Sequence, residues 1–312
     1  MMKLNRERFR GALLGLACGD ALGTTVEFKP RGTFTPLNGI VGGGPFRLEA
    51  GQWTDDTSMA LCLAESLISC EGVDLLDQCE RYVAWWLRGV NSPTGSCFDI
   101  GNTVRAALEQ FELTSDPESG STHPRSAGNG SIMRLAPIAM FFANRPSEIS
   151  DAAAASSRTT HGAKEAVDAC RYYAALIAGA LHGVSKDDLL APGFSESFCG
   201  LDGSALAPAI AGIEAGEFKG KSRDEVRGSG YVVQSLEAAL WAFWNSESFE
   251  EGALLAVNLG EDADTTGAVF GQIAGAFYGE EGIPQNWRGI LAWHDQIQRI
   301  ADQLHALAKV VP

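Results

Sequence analysis

The sequence predicts an all-α protein. Apolar residues recur at three- and four-residue spacing through most of the 312 residues, which is the periodicity of amphipathic helices. The alternating pattern of half-buried strands is nearly absent. Two long glycine-rich loops, residues 112–130 and 215–230, interrupt the helical pattern, but the composition is the same on both sides of each loop. We therefore expect a compact helical bundle that forms one domain over residues 1–312.

Helical spacing predicts ten helices in chain order. The first could be mistaken for a signal peptide, because three arginines precede an apolar run, but glycines interrupt that run and Asp20 ends it. The predicted ranges are 7–19, 57–70, 73–90, 99–111, 150–158, 163–182, 231–244, 249–258, 266–278 and 287–309. The periodic apolar positions include Phe9, Leu13 and Leu16 in the first helix, Met59, Leu63 and Leu67 in the second, Val167, Cys170, Ala174, Ile177 and Leu181 in the sixth, and Val233, Leu236, Leu240 and Phe243 in the seventh.

Composition excludes some classes of function. A net charge of −15 argues against a nucleic-acid surface, because phosphate backbones are bound by clustered Lys and Arg. No segment approaches the roughly 18 apolar residues that a membrane-spanning helix needs. The seven cysteines are odd in number and form no CxxC pair, which indicates reduced thiols. We expect a cytoplasmic protein.

Two adjacent carboxylates begin the second predicted helix. In the stretch GQWTDDTSMA (51–60), Asp55 and Asp56 stand just before a helix that is expected to be buried. Acidic residues are common in a first helical turn, where they satisfy free N–H groups and suit the positive end of the helix dipole. Helix capping is therefore one explanation of this stretch, and a functional site is the other.

A second acidic helix start lies far downstream, in the stretch GEDADTTG (260–267). Two such starts suggest the halves of one site for a hard cation, because Mg²⁺ and Mn²⁺ bind oxygen atoms of carboxylates, hydroxyls and water. An EF-hand loop is excluded, since the glutamate that it needs at position twelve is Ile273 here.

The spacing of the acids predicts two metal ions. Adjacent aspartates cannot easily bind one ion from the same direction, but they can reach two neighbouring ions, whereas two aspartates separated by one residue can converge on a shared point. The neighbouring threonines offer hydroxyl oxygens. The candidate ligands are Thr54, Asp55, Asp56, Asp262, Asp264 and Thr265.

Two glycine-rich turns, GNGS (128–131) and GSGY (228–231), each precede a predicted helical segment. Successive N–H groups in such a turn can bind an anion without Lys or Arg, which suits a diphosphate ligand of an acidic protein. Neither turn is a P-loop. The alternative for both is that the glycines serve only to form a turn or a helix C-cap. Tyr231 can stack on a flat base or pack in the core.

Three further residues are candidates for the same cleft. Asp99 precedes a predicted helix and is either its N-cap or a carboxylate that points into the site. Glu27 lies among apolar neighbours, where an acid can have a raised pKa and act in catalysis, although an exposed glutamate is the alternative. His161 lies between two helices and is either structural or a ligand contact.

Together these motifs resemble the ADP-ribosylglycohydrolase family, and most of all its bacterial branch, the dinitrogen reductase-activating glycohydrolases. The similarity runs from about residue 7 to about residue 280, and WTDDT paired with DADT is its most specific part. The segments that carry it are GALLGLACGDALG (11–23), GGGPF (42–46), WTDDT (53–57), DIGN (99–102), GNGS (128–131) and DADT (262–265).

The resemblance implies an orthogonal helical bundle with two Mg²⁺ or Mn²⁺ ions at the floor of a cleft, held by the six candidate ligands. It also implies that Asp99, Glu27 and Asp56 take part in catalysis and that ADP-ribose contacts Gly128, Asn129, Gly130, Ser131, His161, Gly228, Gly230 and Tyr231. The activity it implies is removal of ADP-ribose from modified proteins, most simply from arginine. A same-fold enzyme for serine-linked or small-molecule ADP-ribose, or a non-catalytic ADP-ribose-binding relative, are the alternatives.

Overall fold

The computed structural model describes residues 4–310, and the side chains of 309 and 310 are not included. Within this range fifteen α-helices are connected by turns and short 3₁₀ segments, and the pairing of extended backbone is limited to isolated bridges. The prediction of an all-α fold is confirmed. The helices are α1 (Arg6–Gly23), α2 (Asp55–Cys70), α3 (Leu75–Arg88), α4 (Asn102–Thr114), α5 (Ala136–Phe141), α6 (Pro146–Arg158), α7 (Lys164–Leu181), α8 (Lys186–Leu189), α9 (Phe194–Cys199), α10 (Pro208–Glu214), α11 (Val232–Trp244), α12 (Phe249–Val257), α13 (Ala263–Tyr278), α14 (Gln285–Ile290) and α15 (His294–Val310).

All ten predicted helices occur, with two corrections. The predicted helix 287–309 is two helices, because the chain turns between α14 and α15 and Trp293 adopts a left-handed φ of 56°. The helix predicted from residue 99 begins at Asn102. Three short helices, α8, α9 and α10, were not predicted, since four to seven residues are too few for the apolar period to repeat. Helix α5 lies within the helical segment that was expected after the GNGS turn.

Helices α1 and α13 run antiparallel with their backbones in direct contact. A Cβ atom added at Gly15 would lie 2.3 Å from the carbonyl oxygen of Gly271, and one added at Gly19 would lie 2.0 Å from that of Gly267. The contact continues along both helices with a period of four residues, so that each exposes a stripe of glycine to the other. The pairs are Gly11 with Gly275, Gly15 with Gly271, Gly19 with Gly267 and Gly23 with Ala263.

This pairing fixes the position of the acidic helix start at residue 262. Because the two helices are antiparallel, the end of α1 lies beside the beginning of α13. The first turn of α2 meets the end of α1 through hydrogen bonds to Asp20. It meets the beginning of α13 through Asp56, whose Oδ2 accepts from the Thr265 hydroxyl at 3.4 Å. Helices α7, α11 and α12 pack around α13, and the buried apolar side chains form one continuous cluster.

Two predictions about the whole chain have different outcomes. None of the helices in residues 4–310 combines the length and hydrophobicity that crossing a bilayer requires. The prediction of one domain over residues 1–312 stays a prediction, because the first three and the last two residues lie outside the described range.

We predict that Gly271→Ala destabilises the protein although alanine favours a helix by about 1 kcal/mol. The added methyl would lie 2.0 Å from the carbonyl oxygen of Gly15, and such overpacking costs about 1–3 kcal/mol or more. Urea unfolding measures the difference. Gly289→Ala in α14 is the matched control, because a Cβ there meets nothing within 4 Å. Equal unfolding midpoints for the two variants would contradict the backbone contact.

Candidate active site

A cleft of about 610 Å³ opens where α1 ends and α2 and α13 begin. Its floor is acidic, with Asp55, Asp262 and Asp264 from the helix starts and Glu27 and Asp99 from loops. No Lys or Arg stands among the described residues that line it. The two acidic helix starts, far apart in sequence, therefore face the same space.

Asp20 caps helix α2 from outside that helix. Its Oδ1 accepts hydrogen bonds from the backbone N–H and the hydroxyl of Thr54, both at 2.9 Å. Its Oδ2 accepts from the backbone N–H of Thr57 at 3.1 Å and from the Thr57 hydroxyl at 2.6 Å. Asp20 is fully buried, and sequence analysis missed it as a functional residue. The available signal was an aspartate within a glycine-rich apolar helix, which we interpreted only as the end of the run.

Glu27 does the same for helix α13. Its Oε2 accepts hydrogen bonds from the backbone N–H groups of Ala263 at 2.7 Å and Asp264 at 3.3 Å. Asp262, the N-cap residue of α13, makes no side-chain cap of its own. Asp20 and Glu27 thus supply caps to the two helix starts, and no backbone N–H of another residue among residues 4–310 donates to Asp55 or Asp56, so capping by hydrogen bonds is wrong for this pair. Both aspartates still lie in the first turn of α2, at the positive end of its dipole.

Because Asp20 and Glu27 cap the two helices, carboxylate oxygens of the helix starts themselves remain without hydrogen-bond partners. Asp56 Oδ1 and Asp264 Oδ2 are buried and have no hydrogen-bond donor among residues 4–310. Buried polar atoms almost always have a partner, so two orphans at one cleft floor indicate a missing one. An oxygen atom that only accepts and lies among other carboxylates fits a divalent cation.

The donor set also fits a hard cation. One carboxylate oxygen from each of Glu27, Asp262 and Asp264 lies within 4.8 Å of the others. Asp56 Oδ2 is shared by the hydroxyls of Thr54 at 3.3 Å and Thr265 at 3.4 Å, which brings the two helix starts together. All of these atoms are oxygens, the ligands that Mg²⁺ and Mn²⁺ prefer.

Crowding and burial raise the pKa values of these acids. Burial first, and then the neighbouring carboxylates, raise the pKa of Asp55, Asp56 and Asp264 well above the usual value. Burial and Asp262 raise the pKa of Glu27 to about 8, and burial raises that of Asp99 to about 7. Such crowding of like charge is costly unless protons or cations compensate it.

Asp99 lines the cleft from the loop before α4 and has a left-handed φ of 60°. The N-cap of α4 is Gly101, so the N-cap interpretation of Asp99 is wrong. A non-glycine residue in this conformation is strained and is often found at functional sites.

The two glycine turns are hydrogen-bonded to each other. The backbone N–H of Asn129 donates to the carbonyl of Gly230 at 3.2 Å, and a bridge joins Gly128 to Tyr231. The turns also hold Asp262, since Asn129 Nδ2 donates to its Oδ2 at 2.7 Å and Gly228 accepts from its N–H at 2.9 Å. The turns and the acidic cluster thus form a single wall.

The predicted contact residues divide into two groups. Gly128, Asn129, Gly130, Gly230 and His161 line the cleft. Ser131 and Gly228 belong to the same turns but are not among the residues that line the cleft. The Ser131 hydroxyl accepts from Ser157 at 2.9 Å, and a Cβ at Gly228 would lie 2.6 Å from Thr266 Oγ1. The expected helix start directly after GNGS is also wrong, since four residues separate this turn from α5.

Tyr231 stands at the edge of the site. Its ring is 38% exposed, so the alternative that it packs in the core is wrong. Its hydroxyl donates to Glu165 Oε2 at 2.7 Å, which fixes the ring on the surface beside the GSGY turn. It is available for stacking on a ligand that extends out of the cleft.

Comparison with known proteins decides the family. A profile of the family described as ADP-ribosylglycohydrolase matches residues 1–311. The chain belongs to the ADP-ribosylglycohydrolase family. The prediction made from the motifs is confirmed.

Three similar proteins show how well the chain matches known sequences and structures. The chain is 48% identical to the ADP-ribosylarginine hydrolase Tri1 of Pseudomonas putida (strain GB-1), over 96% of this chain and 78% of that protein. It is 34% identical to the ADP-ribosyl-[dinitrogen reductase] glycohydrolase of Rhodospirillum rubrum, over 97% of both chains. A solved structure described as an ADP-ribosylglycohydrolase-related protein complex superposes with a TM-score of 0.86 at 44% identity, over 98% of this chain and all of that one.

We predict that Asp56→Asn stabilises the metal-free protein, and that the gain grows as pH rises above about 4. An acid with a raised native pKa takes up a proton on folding, so its contribution to stability falls with rising pH until the native pKa is passed. The amide in Asp56→Asn does not titrate, so the variant does not lose stability at this position as the pH rises. Urea unfolding in chelator at several pH values measures it.

Asp20→Asn is the control, because Asp20 accepts four hydrogen bonds that an amide cannot all accept. We expect it to cost about 1–3 kcal/mol, the penalty of unpartnered buried donors. If Asp56→Asn destabilises the metal-free protein as much as Asp20→Asn does, Asp56 is a structural residue and not a free ligand.

Proposed function

We propose that this protein is a divalent-metal-dependent hydrolase that removes ADP-ribose from arginine side chains by cleaving the N-glycosidic bond. The observation that carries the proposal is the wall of buried carboxylates, two of them with orphan oxygens, in a cleft of a family member. The similarity to a protein named ADP-ribosylarginine hydrolase supports arginine as the modified residue.

The residues that would hold two Mg²⁺ or Mn²⁺ ions are Thr54, Asp55, Asp56, Asp262, Asp264 and Thr265. Their burial among like charges supports this assignment, because bound cations remove the electrostatic cost. When bound, such ions orient ribose hydroxyls and lower the pKa of a bound water. Glu27, whose oxygen belongs to the same close group as Asp262 and Asp264, is an additional ligand candidate.

Proton transfer falls to Glu27 and Asp99. Both carboxyl groups line the cleft, and burial raises their pKa values in the metal-free protein, which favours an acid that can hold and donate a proton. Asp56 supports catalysis by accepting the hydroxyls of Thr54 and Thr265, which holds the two helix starts together. A protonated carboxyl at the cleft floor can donate to the departing guanidine, and a carboxylate can accept the proton of the attacking water.

The glycine turns are proposed to hold the diphosphate. The backbone N–H groups of Gly130 and Gly230 have no acceptor within residues 4–310, and both residues line the cleft. Backbone amides bind phosphate without Lys or Arg, which the cleft does not offer among its described residues. The adenine would then lie beside the exposed ring of Tyr231.

We also propose the cytoplasm as the compartment. The seven cysteines are all free thiols, three of them exposed or half-buried. Free thiols persist in a reducing compartment.

We predict that the purified protein releases ADP-ribose from arginine-modified protein and that chelation abolishes the release. Mg²⁺ or Mn²⁺ should restore it, because the carboxylates then regain their counter-charge. The same assay on serine-modified protein and on small-molecule ADP-ribosides separates the alternative substrates. Binding of ADP-ribose without any release would establish a non-catalytic relative, and full turnover with metal confirmed absent would refute the metal site.

We predict that Tyr231→Ala weakens binding of ADP-ribose by about 1–3 kcal/mol, the value of base stacking on an aromatic ring. Tyr231→Phe is the matched control, since it keeps the ring and removes only the hydrogen bond to Glu165. Calorimetry with ADP-ribose and with plain ribose measures both. Equal losses in the two variants, or the same loss with ribose, would contradict stacking.

Gly230→Ala tests the diphosphate position in the same experiment. A Cβ there comes no closer than 3.4 Å to a neighbour, at Asp262 Oδ2, so the free protein tolerates it. Gly130 is a poorer probe, because its Cβ would lie 2.8 Å from His161 Cε1. We expect weaker binding of ADP-ribose and unchanged stability, whereas wild-type affinity would place the diphosphate elsewhere.

A further inference from the structure

Arg134 is a buried cation behind the cleft wall. It is only 1% exposed and forms no ion pair with any carboxylate in residues 4–310. The planar guanidinium stacks on Tyr82, with 4.5 Å to the ring centroid. A charged group is costly to bury without a counter-ion, so its hydrogen bonds have to compensate for the lost water.

The three shortest of those hydrogen bonds end at the GNGS turn and at the segment before His161. Arg134 Nη1 donates to the carbonyl oxygen of Gly130 at 2.8 Å. Its Nη2 donates to the hydroxyl oxygens of Thr160 at 2.8 Å and Thr159 at 3.1 Å. The same side chain therefore holds the GNGS turn and the residue before His161.

The Thr160 hydroxyl connects Arg134 to His161 by two hydrogen bonds. Its oxygen accepts from Arg134, whose guanidinium can only donate. Its hydrogen then has a single acceptor among the described residues, His161 Nδ1 at 2.9 Å. An Nδ1 that accepts carries no proton, so the neutral ring carries its hydrogen on Nε2.

His161 Nε2 faces the glycine turn of the cleft. A Cβ added at Gly128 would lie 3.2 Å from this nitrogen, and one added at Gly130 would lie 3.3 Å from it. The ring is 2% exposed, lines the cleft, and has no partner for Nε2 within residues 4–310. An N–H at this position is directed at whatever occupies the glycine turn.

We propose that Arg134 is a positioning residue that acts through Thr160 to fix His161 as a neutral Nε2–H donor aimed at the bound ligand. Only the identity of the ligand, ADP-ribose, rests on the proposed function. The guanidinium at the same time holds the Gly130 carbonyl, so the histidine donor and the glycine turn keep a constant separation. His161 accordingly donates a hydrogen bond and does not transfer a proton.

The electrostatics agree with this geometry. Burial, and then the charge of Arg134, lower the pKa of His161 to about 3, so the ring stays neutral at physiological pH. Lysine cannot replace arginine fully here, because its ammonium group lacks the planar fork that reaches two separate oxygens.

The test reads the tautomer directly. Two-bond ¹H–¹⁵N spectra of the metal-free, ligand-free protein with ¹⁵N-labelled histidine are recorded at neutral pH, and His161→Gln assigns the resonance. The wild type should show an unprotonated Nδ1 and a protonated Nε2. An Nδ1–H tautomer, or rapid averaging of the two forms, would overturn the proposal.

Thr160→Val and Thr160→Ser distinguish the hydrogen-bond relay from Arg134 through Thr160 to His161 from an effect of side-chain packing. Valine keeps the shape and removes the hydroxyl, so the tautomers should mix and the affinity for ADP-ribose should fall by roughly five- to tenfold, as for one hydrogen bond. Serine restores the hydroxyl and should restore both. An unchanged tautomer in Thr160→Val would refute the relay.

Arg134→Lys and Arg134→Met test the cation. We expect lysine to retain the wild-type tautomer in part and methionine to lose it, in whichever of them folds. If wild-type protein binds no ADP-ribose, the proposed function fails, while the spectra still decide the relay. A wild-type tautomer in folded Arg134→Met would show that Arg134 has no positioning role.

Discussion

The contact between α1 and α13 is the constraint on which the rest depends. Two helices approach until a Cβ on either would touch the other's carbonyl oxygens, as at Gly15 and Gly271. Side chains of ordinary size would separate the helices by several ångströms. The close approach puts Asp20, in the last turn of α1, and Glu27, in the loop that follows α1, within hydrogen-bond distance of the first turns of α2 and α13.

The division of labour among the acids follows from that position. Asp20 and Glu27 satisfy the free N–H groups of the two helix starts, so Asp56 and Asp264 keep oxygens that nothing else in the described chain occupies. Each of these carboxylates has a raised pKa because burial and its neighbours oppose its charge. Folding thus maintains a crowded acidic wall at an electrostatic cost, which the proposed cations would compensate.

The proposed diphosphate ligand needs positive potential that Lys and Arg do not supply among the described residues lining the cleft. Backbone N–H groups of the paired glycine turns and metal ions on the acidic wall are the two sources proposed here. Arg134 is a third, placed one layer behind the cleft where it polarises Thr160 and His161 without touching the ligand. Each source is directional, which suits a site that must orient a ribose between a diphosphate and a leaving group.

The longer helices and the two acidic motifs were predictable from the chain alone, because apolar period and carboxylate spacing are local properties that do not depend on the tertiary arrangement. It did not reveal the roles of Asp20, the glycine stripes or Arg134. Asp20 acts on a helix more than thirty residues away, and glycines that seemed to interrupt an apolar run are contacts with a helix at the other end of the chain. Only the tertiary structure decides which donor meets which acceptor, since hydrogen bonds of this kind depend on separations in space that sequence spacing does not encode.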